Sequence, residues 1–349
     1  MAGGQGSNFD ARSAPSNGHT QAESTEKRQK TIVSSRSSLD IMEEEIQNQA
    51  TELPRYIAHL KRETDYRELD ASELVFTGSG DSFASSLCAH YFSGGEALAA
   101  DPYELQQYPR LAKNRIIFIT SVSGKTRANV QLARRVKGLA KRCVAVTAHP
   151  QSSLARECDD VIRLHYKANR TRTAGTLSFT ISLLALASTL RRLPDLHGLS
   201  RIETSAARWA RRVKTSTGEG FLFVGSGIGY ALSAYGAFKI HEVLGEPAYY
   251  QHTEQLGHST LFGLEGTENI FCSALLNDRK TVELCTTLEN GGFRAQLLKR
   301  DAKDPLISCL EAAFAFQNLA LGLARKRGIL ECAFLRDKQR LRLSSQLIY

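Results

Sequence analysis

From Glu73 onward, short runs of continuously apolar residues alternate with helix-length segments, joined by turns rich in serine and glycine. Leu74–Thr77 leads into Gly78–Ser82 and then a helical stretch over Phe83–Phe92. Asn114–Thr120 leads into Ser121–Thr126 and a helix over Arg127–Leu139. Arg142–Thr147, a short helix at Ser152–Arg156, a strand at Val161–Leu164 and an apolar helix at Thr176–Leu190 complete the first cycle. A strand that is apolar at every position must be covered on both faces, and a strand–helix–strand order demands parallel pairing. The order then returns: Phe221–Val224, a turn at Gly225–Gly229, a helix at Tyr230–Leu244, strands from Ala248 and at Ile270–Leu276, a helix within Asp278–Asn290, a short strand at Arg294–Arg300 and an apolar helix at Ile307–Lys326. The pattern predicts an α/β chain of two tandem, doubly wound parallel-sheet domains, 37–199 and 200–349.

Before the rhythm starts, residues 1–36 are mostly Gly, Ser, Asn, Gln and charge, with Phe9 the only bulky apolar side chain between Met1 and Ile32. Such a segment cannot offset its ordering entropy and is expected to be a disordered tail. Ser38 is placed to cap a helix over about Leu39 to His59. The remaining length, 349 residues in all with 42% hydrophobic and 23% charged side chains, suffices for two packed cores. No run of about 18 apolar residues is found, so no membrane span is expected, and no secretory signal is evident at the N-terminus. Seven scattered cysteines form no CxxC pair or Cys/His cluster at metal spacing, so they are read as buried thiols in a reducing cytoplasm, with no metal expected. The net charge of +9 is spread over helix faces such as Arg134-Arg135 and Arg211-Arg212 without interleaved aromatics. That spacing argues against a nucleic-acid partner and suits an anionic small molecule.

Chemistry concentrates in the turns after the strands, where an open α/β sheet receives ligands. In Ser121-Val122-Ser123-Gly124-Lys125-Thr126, three hydroxyls and a glycine stand before a helix N-terminus, a pattern suited to a phosphate. Gly78-Ser79-Gly80-Asp81-Ser82 follows the neighbouring strand, with Ser82 either a ligand contact or a helix cap. Neither turn is a nucleotide fingerprint. Gly225-Ser226-Gly227-Ile228-Gly229 has its third glycine one residue early for GxGxxG, and Ile119 stands where GxxxxGK[ST] needs glycine. No cofactor is expected. A further constellation is Lys239-Ile240-His241-Glu242, sixteen residues ahead of His258, where a carboxylate at the end of an apolar helix and a histidine in a loop are an acid/base pair or a surface Glu and a capping His.

Taken together these residues resemble the sugar isomerase (SIS) domain superfamily, and most closely the isomerase half of glucosamine-6-phosphate synthase. The helix Met42-x-x-Glu45-Ile46-x-x-Gln49 matches that family's opening helix, and Ser121–Thr126 resembles its Ser-Gln-Ser-Gly-Glu-Thr phosphate loop. Ser152-Ser153-Leu154-Ala155-Arg156-Glu157 matches a Ser-Ser-Leu-Ala-Arg-Glu segment, and Lys239-x-x-Glu242 with His258 reproduces the Lys-x-x-Glu…His spacing. The resemblance implies two flavodoxin-like SIS domains, with Ser82, Ser121, Ser123, Thr126, Gly80 and Gly124 holding the phosphate of a sugar. It implies that Glu242, beside Lys239, moves a proton between the first two sugar carbons. It also implies that His258 opens the ring from a neighbouring subunit, hence a homodimer. Arg172 falls where related phosphoglucose/phosphomannose isomerases hold an arginine against the enediolate, and Lys338 is the nearest match to a lysine in the family's C-terminal tail. The chain departs from the family at Val122, Lys125 and Gly175, where Gln, Glu and Ser are usual, and no glutaminase cysteine precedes the SIS region, so glutamine-dependent transfer is not expected. Three functions follow as expectations: a hexose-6-phosphate aldose–ketose isomerase or aminosugar-phosphate isomerase/deaminase, a phosphoglucose/phosphomannose isomerase, and a sugar-phosphate sensor without turnover. No helix-turn-helix segment supports a transcriptional form of the sensor.

Overall fold

The structure is a computed structural model that describes residues 36–60, 69–167, 169, 172–216 and 219–349. Apart from Arg36, the expected N-terminal tail lies outside the described residues. From Ser37 to Tyr349 the chain is one compact unit built on two parallel sheets. Helix α1 (Ser38–Leu60) enters the first half, followed by β1 (Leu74–Gly78), α2 (Asp81–Phe92), β2 (Leu98–Ala100) and α3 (Pro102–Gln107). Next come β3 (Ile116–Thr120), α4 (Arg127–Val136), β4 (Arg142–Thr147), α5 (Ser153–Glu157), β5 (Asp160–Arg163) and α6 (Leu177–Ser188). After α7 (Leu199–Arg212), the second half runs β6 (Phe221–Gly225), α8 (Ile228–Val243), β7 (Ala248–His252), α9 (Thr253–His258), β8 (Asn269–Leu275), α10 (Arg279–Asn290), β9 (Ala295–Arg300) and α11 (Pro305–Lys326). Two short helices, α12 (Ala333–Arg336) and α13 (Lys338–Ile348), end the chain.

The strand order is β2-β1-β3-β4-β5 in the first sheet and β7-β6-β8-β9 in the second, with every pairing parallel. The second order is the first without its last strand. This is the flavodoxin-like winding, with the chain reversing direction between the first strand of each half and the strand after the crossover. The repeat extends to the backbone of the first turns. Gly80 (φ 59°, ψ −128°) and Gly227 (φ 54°, ψ −129°) begin α2 and α8 in the same conformation, which side chains with a Cβ rarely adopt.

Alternate strand residues sort into different cores, as a pleated sheet requires. Phe76, Phe118, Val144 and Val146 join Phe221, Phe223 and Phe271 in one large cluster that includes both sheets and helices α1, α2, α6, α8 and α11. Val75, Ile117, Ile119 and Ala145 face α4 on the far side of the first sheet, and Leu222, Val224, Ile270 and Cys272 face α10 on the far side of the second. The two halves therefore share their main core.

Several expectations need correction. Helix α11 is long and apolar enough to cross a membrane by length and composition, against the reading that no such run exists; most of it is buried against α7 and α8. The three-residue edge strand β2, the short helix α3 and the amphipathic helix α7 were not read from the sequence. All seven cysteines are free thiols, six of them buried.

Candidate functional site

In the register of the first sheet, Gly78 pairs with Thr120. The turns that follow these residues therefore lie side by side at the carboxyl edge, at the switch point where such sheets receive ligands. Ser121 is buried; its Oγ accepts from the Gly124 N–H at 3.1 Å and lies 3.1 Å from Thr126 Oγ1. The Lys125 N–H donates to Ser123 Oγ at 3.3 Å, and the Lys125 side chain is exposed. Gly124 has a φ of +60°, and a Cβ there would stand 2.0 Å from Ser152 Oγ, so the Ser-Ser-Leu-Ala segment closes against the turn. Ser82 is buried and lies inside α2; the helix begins at Asp81 after Gly80, with no side-chain cap. A capping role for Ser82 is thereby removed. Helix α4 likewise starts after Thr126 without a side-chain cap. Two adjacent helix N-termini thus lack side-chain acceptors, an arrangement that favours an anion. Ser82, Gly80, Ser121, Ser123, Gly124 and Thr126 all belong to this edge.

From this edge a chain of buried polar groups leads into the second half. Lys239, on the face of α8 turned to α2, is wholly buried, and its Nζ donates to Asp81 Oδ2 at 2.7 Å, to the Gly175 carbonyl at 3.1 Å and to Glu242 Oε2. Three protons meet three acceptors, so the ammonium is fully used. The Glu242 side chain is 34% exposed, one helical turn on at the rim. Burial alone would push the Lys239 ammonium down, but the carboxylates of Asp81 and Glu242 more than offset it and hold its pKa above the usual value. Burial and the nearby Glu242 carboxylate push Asp81 up to about 7, against the pull of Lys239. Sequence reasoning missed Asp81 as a functional residue; an acid in the first turn of a helix reads as a partner of the helix dipole. Its fit with Gly175 was also missed, since a Cβ on Gly175 would stand 2.2 Å from Asp81 Oδ2.

The opening helix supports this centre from behind. Gln49 donates to Gln317 Oε1 at 2.7 Å, Gln317 to the Tyr235 hydroxyl at 2.9 Å, and Tyr235 to the Gly175 carbonyl at 2.8 Å. Thr180 closes the other side of Gln49, and Thr176 bonds Glu45 at 2.8 Å. The Tyr235 ring stacks on Phe179 at 3.7 Å. A buried network in which most members have partners resists rearrangement, because each lost bond leaves a desolvated group.

Three expected site residues are not in contact with Lys239 or Glu242. His258 ends α9 rather than standing in a loop; it is 70% exposed, with Nε2 3.0 Å from Glu254 Oε1. Arg172 lies over the Phe334 ring, 5.2 Å from its centroid. Lys338 is exposed at the start of α13. The segment that carries Lys338 is nonetheless tied to both edges of the site. Arg336 donates to the carbonyls of Val243 and Leu244, just past Glu242, at 3.5 and 2.8 Å. At the other end, Arg127, the first residue of α4, donates to the carbonyls of Gln346 and Tyr349 at 2.9 and 3.2 Å.

Residues 69–191 match the SIS domain family. Over 187 residues, 50% of this chain, it is 28% identical to the glutamine–fructose-6-phosphate aminotransferase [isomerizing] of Sulfolobus acidocaldarius. The match spans 31% of that protein's length. The fold resembles glucosamine-6-phosphate deaminase from Thermotoga maritima, with a TM-score of 0.68 and 20% identity over 83% of this chain and 95% of that one. It also resembles the C-terminal domain of glucosamine-fructose-6-phosphate aminotransferase from Francisella tularensis, with a TM-score of 0.63 and 19% identity over 82% and 96% of the two chains. A third likeness is tagatose-6-phosphate ketose/aldose isomerase from Escherichia coli, with a TM-score of 0.62 and 13% identity over 82% and 94%.

Proposed function

With the SIS domain match at residues 69–191 as the premise, we propose that this protein binds a hexose 6-phosphate and moves a proton between its first and second carbons, as an aldose–ketose isomerase or an aminosugar-phosphate isomerase/deaminase. The observation that carries the reading is the Asp81–Lys239 ion pair, which joins the hydroxyl-rich edge of the first sheet to Glu242 in the second half. Ser82, Ser121, Ser123 and Thr126, with Gly80 and Gly124 admitting close approach, hold the phosphate. Glu242, at the rim and reachable by solvent, takes the proton from one carbon and returns it to the other through an enediolate. His258 opens the sugar ring. Its exposure suits delivery into the site of a second copy, so the working unit is a homodimer. The reaction is proposed for the cytoplasm, where seven free cysteines remain thiols.

A binding-only reading has one observation in its favour: neither Arg172 nor Lys338, the cations expected against the enediolate, touches Glu242. Incubation with fructose 6-phosphate or glucosamine 6-phosphate in heavy water separates the readings. Deuterium appears at the first and second carbons if the enzyme reading holds, and Glu242→Gln abolishes the exchange while the same ligands still raise the melting temperature. Stabilisation without exchange in the wild type leaves the sensor; a fully active Glu242→Gln variant refutes the assigned base.

A further inference from the structure

Lys239 has no proton left for a substrate. Its ammonium is wholly buried and spends its donors on Asp81, Gly175 and Glu242. Two carboxylates therefore divide one buried cation. Asp81 brings only one oxygen to the division: its Oδ1 is buried with no hydrogen-bond partner among the described residues. Gly175 permits the arrangement, because any side chain there would displace Asp81 Oδ2 from the ammonium. We infer that Asp81 is a positioning residue that competes with Glu242 for Lys239, so that the Glu242 carboxylate is freed to take a substrate proton only while Asp81 is ionised. The inference rests on the reading of Glu242 as the proton-moving group.

The charges around the pair are few. From α8 the pair faces Lys239, Glu242 and the Tyr235 phenol, with His241 beside Glu242. From α1 Glu45 feels Lys239, and from the C-terminal segment Cys332 feels Glu242. Tyr235 is held neutral by burial, and Glu45 is itself pushed up by burial and bonded to Thr176 and Asn169. Asp81 is a group at this centre whose charge changes near neutral pH, with burial the main cause of its raised pKa of about 7. Below that pH Asp81 is neutral and Lys239 commits to Glu242. Above it the ammonium is shared.

The test is the pH dependence of deuterium exchange into glucosamine 6-phosphate or fructose 6-phosphate. The wild-type rate is expected to rise about tenfold between pH 6 and 8 with its midpoint near 7, the span over which a single group passes from mostly protonated to mostly ionised. Asp81→Asn is expected to stay at the low-pH rate across that range with KM altered less than about threefold, the split that marks loss of an interaction made in the chemical step. Gly175→Ala, which keeps every ionisable group but drives Asp81 off Lys239, is expected to lose the same limb. A variant that is slower but keeps the limb, or a pair of variants with wild-type profiles, overturns the inference. If the wild type exchanges neither sugar, the isomerase reading fails by itself, and carboxyl-carbon NMR decides the rest. A step in the Glu242 signal as Asp81 titrates near pH 7, absent in Asp81→Asn, sustains the competition; a Glu242 signal indifferent to Asp81 refutes it.

Discussion

At the level of single residues the site turns on one buried cation, the Lys239 ammonium, held between the Asp81 and Glu242 carboxylates. Glu242 and Lys239 were picked by their spacing, and they do meet, because positions three apart on a helix share a face. Asp81 was not picked, because its partner is 158 residues away. Its burial has a consequence independent of catalysis. A carboxyl whose pKa is raised from 3.8 in the unfolded chain to about 7 in the fold binds a proton that the unfolded chain releases. Its stabilising contribution is therefore present below about pH 4 and lost as pH rises through 7. In urea titrations between pH 4.5 and 7.5, the midpoint of the wild type relative to Asp81→Asn is expected to fall as pH rises. A constant difference would show that Asp81 titrates as it does in water.

At the scale of elements, the turns carried more information than the strands they follow. The Ser121–Thr126 turn was legible because small hydroxyl side chains, a glycine and a following helix form one local pattern. Its closure by Ser152 was not, since the contact joins two separate strand–helix units. Gly124→Ala places a methyl against Ser152 in a backbone conformation unfavourable to alanine, at a cost of about 1–3 kcal/mol. We expect a lowered urea midpoint and weaker stabilisation by glucosamine 6-phosphate; a variant that loses neither would show that the turn is not built around that contact. Strand β2 escaped notice because three residues are too few to show a period, and α9 because its six residues carry a glycine, four polar side chains and a single leucine.

For the whole molecule, the shared core makes the two halves one body. The described contacts of a single chain leave His258 at the surface, paired with Glu254 and apart from Glu242. If the working unit is a dimer that exchanges His258, two inactive variants complement each other. An equal mixture of Glu242→Gln and His258→Asn, unfolded and refolded together, is expected to recover about a quarter of wild-type exchange, because half the dimers are mixed and each mixed dimer holds one intact site. No recovery above the separate variants means that His258 acts within its own chain or not at all. The same experiment, read by light scattering, reports whether the dimer exists.

The sequence by itself determined the winding: continuously apolar strands, helix-length connections and a repeated Gly-x-Gly turn are local signals, and each half obeys them separately. It also marked the hydroxyl-rich turns, because hydroxyls and a glycine ahead of a helix make a pattern that lies within six consecutive residues. Only the tertiary structure decided what Lys239 does. A lysine on an apolar helix reads as a catalytic cation until its three protons are counted, and two of their three acceptors, Asp81 and Gly175, come from the other half of the chain. Burial sets the charges of that centre, and burial arises when α2 packs on α8, so no stretch of the sequence taken alone contains it.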